Sequence, residues 1–353
     1  MAQTTAVSVA GDLVAGKDYP ADLAQLRAWF PDDAACLDYL SWLRWPDGVC
    51  CPRCDAVDVN GERDGRFRCR ACWYRFSVTA GTIFEKTRTP LTVWFETVWL
   101  MTAGKTGVSA AHLHRVLPIS SYQTAWSMLS KLHQVMTTAG REPLTGRVEV
   151  DESIFGGHRA GKTGRGALGK TLVAGAIEIT GHGWGRARLA VIPDASTESL
   201  RAFVSANITP GATVVTDGWS AYPGALEGYT HESFNVSASG KPAHESLPAV
   251  HRLFALVKRM IEGTYQGSGT AEHLPEYLDE FVFRFNRRHS RRRGLVFTRL
   301  LQRAVATGPV TYRELVREPK PKEVRLAGST GRRNRPGTLQ APTAGRPWRA
   351  DNR

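Results

Sequence analysis

The sequence predicts an α/β protein of several domains: a cysteine-bearing ribbon, a helical module, and then a larger mixed-sheet domain. Three observations carry that expectation. Two Cys-x-x-Cys pairs lie near the front of the chain with 14 residues between them. Apolar residues recur at helical spacing between about 90 and 138, and from Arg147 the pattern turns to two-residue alternation broken by helical stretches. At 353 residues there is room for two or three domains. The 46 Lys and Arg against 33 Asp and Glu leave a net charge of +13, which favours a polyanionic partner. No run of 18 apolar residues occurs and the N-terminus lacks a charged-then-apolar signal, so the expected location is the cytoplasm.

Residues 1–20 are small, polar and aperiodic, and are expected to be disordered. In the helical lead-in, 21–46, Leu23, Leu26, Trp29 and Phe30 fall at helical spacing, and a second short helix is expected after Pro31. The ribbon, 47–80, holds Cys51, Cys54, Cys69 and Cys72. Two such knuckles place four thiolates around one Zn²⁺ in a closed, structural site, because no position is left for a substrate. Cys50 and Cys36 read as packing cysteines. Phe67, Trp73 and Tyr74 read as the ribbon's small core, with Arg70 and Arg75 as candidates for DNA contact. In the helical module, 90–138, a short helix at Ser109–Arg115 and a longer one at Ser120–Met136 form a helix-turn-helix candidate, with Gln123 and Lys131 facing outward towards DNA.

The sheet domain, 145–305, opens on RVEVDESIF, where Val148 and Val150 alternate with Glu149 and Asp151 as on a half-buried strand. Strands are expected over Thr171–Thr180, Arg186–Ile192, Ala212–Thr216 and Tyr229–Phe234, with helices at Ser196–Ala206 and Leu247–Gly263. Three strands, helix, strand, strand, helix is the order of a ribonuclease-H-like fold. In that fold the strands bearing Asp151 and Asp217 are neighbours, and two carboxylates suit an oxygen-loving divalent ion. A third ligand is expected on the last helix. His251 lies 34 residues after Asp217 and Lys258 two turns later, while Glu245 and Glu262 remain alternatives. His251 and Glu262 are about 16 Å apart along a helix, so one ion pair cannot use both.

The stretch from Gly156 to Thr171 twice satisfies G-x-x-x-x-G-K-[ST], ending at Lys162 and Lys170. A phosphate-binding loop must open a helix, and the second match runs into a strand pattern, so a basic hairpin touching DNA is expected instead. Arg259 on the last helix is a further DNA-contact candidate. Six arginines, including Arg287 and Arg288, occur between Phe281 and Gly294 without an acid. Like charges so close repel unless phosphates neutralise them. Residues 318–353 carry nine Lys and Arg against three acids and are expected to form a disordered basic tail.

With CPRC, CRAC, VEVDESIFGG, VVTDGWSAY, HRLFALVKRMIEGTYQG and HLPEYLDEFVFRFNRR in place, the chain resembles DDE-type bacterial insertion-sequence transposases with an N-terminal zinc ribbon, over roughly residues 22–305. The resemblance implies two-metal DNA strand cleavage followed by transfer of a 3′-hydroxyl to target DNA. It puts the aspartates at Asp151 and Asp217, the third ligand at His251 where the plain motif has glutamate, and a phosphate-holding lysine at Lys258. Mg²⁺ or Mn²⁺ is the implied catalytic ion, duplex DNA the partner, a homo-oligomer on DNA the working form, and the nucleoid its place when bound. Two other readings stay open at this point: a DNA-binding regulator without catalysis, and a nucleotide hydrolase using the glycine-rich loop.

Overall fold

The computed structural model describes residues 13–62, 65–136, 142–156, 170–181, 183–234, 246–266 and 273–316. Lys162, Glu245, most of the glycine-rich stretch and the basic tail lie outside the described residues. The chain forms two compact units. The first draws on Met1–Trp99, Leu117–Lys131 and Arg292–Arg353, the second on Leu100–Val116 and Leu132–Arg291.

In the first unit, α1 (Leu23–Trp29) and α2 (Asp33–Arg44) begin on aspartates. The side chains of Asp22 and Asp32 accept from the backbone N–H three residues on, as N-caps do. The ribbon strands β1 (Val59–Gly61), β2 (Phe67–Cys69) and β3 (Arg75–Phe76) form an antiparallel sheet. Its core is aromatic: Trp45, Phe67 and Phe76 lie within 6 Å of one another, centroid to centroid. Helix α3 (Leu91–Ala103) follows, then α4 (Ala110–Val116) and α5 (Tyr122–Met136); α3 and α5 each contribute to both units. Two late helices return to the first unit, α10 (Arg293–Ala306) and α11 (Tyr312–Val316). Phe30, Tyr39, Phe95 and Phe297 stack there around a Tyr39 hydroxyl held 2.8 Å from Thr298 Oγ1.

Residues 13–20 differ from the expectation of disorder. Tyr19 is 1% exposed and Leu13 is buried beside it. The reason lies far away in sequence: Gly294 lets the chain pass so close that a Cβ there would sit 1.8 Å from the Pro20 carbonyl oxygen. No local periodicity announces such a contact.

The second unit is built on a five-stranded sheet of order β6-β5-β4-β7-β8. Its strands are β4 (Arg147–Phe155), β5 (Thr171–Thr180), β6 (Gly183–Ile192), β7 (Thr213–Asp217) and β8 (Thr230–Phe234). β4, β5 and β6 are antiparallel neighbours, whereas β7 runs parallel to β4 and to β8. One face packs on α6 (Thr197–Asn207) and α7 (Tyr222–Ala225), the other on α8 (Pro248–Tyr265) and α9 (Leu274–Phe285). β5 starts at Thr171, directly after Lys170, so the second glycine-rich match leads into a strand and opens no helix. β4 is covered on both faces: Glu149 is 7% exposed and Glu152 is 9%. That corrects the half-buried reading, since alternating carboxylates look solvent-facing until a helix 100 residues later covers them.

Candidate active site

The face of β4 that meets α8 brings several of the candidate side chains together. Four of its side chains in alternation meet one helix. Glu149 Oε2 accepts from the N–H groups of Ala249 (2.9 Å) and Val250 (3.0 Å), capping a helix whose own N-terminus begins with Pro248 and has no side-chain cap. Asp151 Oδ2 lies 3.6 Å from His251 Nε2. Ser153 Oγ accepts from Lys258 Nζ at 2.8 Å, and Phe155 packs on Phe254. Gly175 on β5 permits this approach, because a Cβ there would stand 2.7 Å from the Phe254 ring.

Asp217 ends β7, the strand next to β4. Arg147 pairs with Thr213, Val148 with Val214 and Glu149 with Val215. The same offset, carried two residues past the last paired ones, puts position 217 level with position 151, though the four cysteines are the only group of three or more potential metal ligands gathered together among the described residues. The Asp151 and Asp217 carboxylates both act on the buried Tyr222 hydroxyl, which burial and its bond to Glu152 push well above the ordinary tyrosine value. The Asp217 side chain is itself oriented by the Trp219 N–H at 3.1 Å, and that of Asp151 by the Glu152 N–H at 2.8 Å. Burial lowers the Lys258 ammonium from its usual value, and Glu262 and Asp151 oppose that shift.

The four ribbon sulfurs form a tighter group. All lie within 4.8 Å of one another, and they are the one set of potential metal ligands so close among the described residues. Cys51 and Cys72 are 3.6 Å apart, as are Cys54 and Cys69. Each knuckle closes with a left-handed residue, Asp55 (φ 57°) and Trp73 (φ 59°), whose N–H returns to the carbonyl of the first cysteine of its pair. The Cys72 N–H brings the Cys69 thiol down to about 7. The Ala56 N–H likewise lowers Cys54, but Cys72, burial and the other sulfurs outweigh it and push Cys54 up to about 12. Four sulfurs this close cannot all be thiolates unless a cation sits among them, which is the donor set of a closed zinc site. Cys36 is buried and Cys50 stands apart from the cluster, as expected of packing cysteines.

Comparison with known proteins fits both sites. Residues 143–286 match the ISXO2-like transposase domain, and residues 31–75 match a transposase zinc-ribbon domain. The chain carries an insertion-sequence transposase domain. It is also 28% identical over 214 residues, 55% of this chain and 70% of the relative, to an uncharacterised protein of the transposable element ISH50 from Halobacterium salinarum. The transposase match encloses Asp151, Asp217, His251 and Lys258, and the ribbon match encloses all four cysteines.

Of the side chains expected at DNA, the structure gives several a partner within the transposase itself. Arg288 stacks on Phe285 and donates to the carbonyls of Trp184 and Gly185; burial lowers its guanidinium. Arg287 covers Phe283 and donates to that residue's carbonyl. These two arginines therefore tie the end of α9 to β6 and to itself. Arg75 bonds Glu62 and Arg70 lies 3.6 Å from Asp58, both on the ribbon. Gln123 and Arg259 are exposed, and Lys131 and Lys170 are partly buried. Sequence reasoning missed Glu149 and Ser153. The signal for both was present: they share the parity of Asp151 on β4.

Proposed function

We propose that the second unit is the catalytic body of the transposase, a ribonuclease-H-like domain in which Asp151, Asp217 and His251 hold two divalent ions, Mg²⁺ or Mn²⁺. The observation that carries this reading is the 3.6 Å approach of His251 Nε2 to Asp151 Oδ2, with Asp217 on the neighbouring strand. Neighbouring ligands of one octahedral ion stand about 3 Å apart, so the pair fits a shared ion with little movement. Bound there, the ions would supply Lewis-acid stabilisation of the attacking and leaving oxygens at phosphorus. Asp151, Asp217 and His251 would hold the ions. Lys258, steadied by Ser153, holds a phosphate oxygen, and Glu149 sets the pitch of α8 so that His251 meets Asp151.

The same reading gives the rest of the chain its role. The four cysteines hold structural zinc. The ribbon and the helices α4 and α5 recognise the terminal repeats of the element, and at least two copies of the protein join two ends. The mixed strand order, with adjacent aspartate-bearing strands, supports the ribonuclease-H-like assignment. No helix among the described residues is long and apolar enough to cross a membrane.

Cleavage of a labelled duplex bearing the element's end tests the reading. Wild type is expected to nick with Mg²⁺ or Mn²⁺ and without ATP. Asp151→Asn and His251→Ala should each lose at least about a hundredfold in rate while binding the duplex as before. Full activity in His251→Ala would move the third ligand elsewhere, to Glu262 or Glu245. Binding without cutting by wild type would leave a regulator.

A further inference from the structure

The first unit contains a groove that the catalytic reading does not use. It encloses about 420 Å³ between the turn at Lys86–Thr89 and the outer face of α5, and is bordered by Lys86, Arg88, Gln123, Ser127, Lys131 and Tyr312. Three of these six are cations and none is an acid. Lys86 reaches the neighbouring Glu85 at 3.7 Å, but Arg88 and Lys131 have no carboxylate partner among the described residues. Lys131 is unusual because it is half-buried, and that burial alone lowers its ammonium from the ordinary value. Taking a cation partly out of water without a partner has a cost, and an anion in the groove would offset it.

The walls are fixed before any ligand arrives. Thr87 Oγ1 accepts from Trp94 Nε1 at 3.0 Å and from the Thr89 N–H at 3.2 Å, which pins the turn. The Ser121 hydroxyl accepts the Thr124 N–H and caps the start of α5. Gln123, Ser127 and Lys131 then follow at four-residue spacing on one stripe of the helix, about 12 Å long. That length matches roughly three base steps of a DNA strand.

We propose that this groove is a cradle for one phosphate backbone of duplex DNA, so that α5 positions the duplex through its phosphates at Lys131 and Arg88 and does not read base edges there. The inference rests on the transposase reading and adds to it a place and a mode of contact. Phosphate contacts fix register and orientation without carrying sequence information. Each one also contributes nearly one unit to the slope of log affinity against log salt.

The test is fluorescence anisotropy of the full chain on two labelled duplexes, the element end and a scrambled sequence of equal length, between 50 and 200 mM salt. Arg88→Ala with Lys131→Met should weaken binding to both duplexes by the same factor and reduce the salt slope by about two. Arg88 with Lys131→Arg should bind as wild type does, which separates lost charge from lost folding. Unchanged binding by the double variant overturns the groove and leaves the transposase reading standing. Weakening confined to the element end overturns it in favour of base readout. Wild type that binds neither duplex overturns both.

Discussion

The ribbon and the proposed sheet site would build a place for a metal in two different ways. The ribbon gathers four like atoms into a closed group, from two knuckles with the same backbone trick. The proposed sheet site would take unlike atoms from two strands and a helix, and would stay open to substrate. Closure serves a fold, because a saturated ion does nothing but hold ligands. Openness serves chemistry, because a substrate oxygen must enter the coordination shell. The price of openness is that something other than the metal must hold the ligands, and here Glu149, Ser153 and Gly175 do so.

If that contrast holds, the largest effect belongs to the ribbon. Cys51→Ser should lose zinc by metal analysis and become protease-sensitive within 47–80, since structural zinc contributes on the order of 10 kcal/mol in isolated fingers. A variant that keeps a protected ribbon would break the comparison. The second unit leans instead on a buried ion cluster. Burial alone would push Glu280 up, but Arg284 and the 3.0 Å contact with His133 outweigh it, and its carboxyl sits below the ordinary value. The contribution of a depressed carboxylate is complete above its unfolded value, about 4.3, and is lost as pH falls through the folded one. Acid titration by circular dichroism should therefore show the second unit losing stability below about pH 4.3. Glu280→Gln should flatten that loss while lowering stability at pH 7 by about 3 kcal/mol.

Smaller effects sharpen the account of the open site. His251→Glu replaces nitrogen by oxygen and should raise cleavage with Mg²⁺ relative to Mn²⁺ by about tenfold; an unchanged ratio would remove His251 from the ligand set. Glu149→Gln keeps an acceptor for the Ala249 and Val250 N–H groups but removes the charge at the helix terminus. Denaturant unfolding should report a loss of about 1 kcal/mol, with slower cleavage and unchanged DNA affinity.

The two sites also differ in how far the sequence revealed them. The ribbon's ligands lie within 22 residues, and spacing alone specified Cys51, Cys54, Cys69 and Cys72. The alternation placed Asp151 and Asp217 on strands, and β4 and β7 carry them there, with strand and helix limits within a few residues of expectation. What supports them did not show. Glu149 looked like a solvent-side residue because the helix it caps comes a hundred positions later. Arg287 and Arg288 looked like free charge because backbone carbonyls and ring faces, which stack under them, leave no mark in a sequence. Residues 13–20 looked disordered because their packing partner is a glycine near position 294.

The separation along the chain also sets an order in time. Both knuckles are complete once Cys72 has been made, whereas the aspartate pair must wait for Asp217, 145 residues further on. At 5–20 residues per second that interval is roughly 7 to 30 s. During it a growing chain already has every ligand its ribbon needs, so zinc capture can precede assembly of the five-stranded sheet on the ribosome.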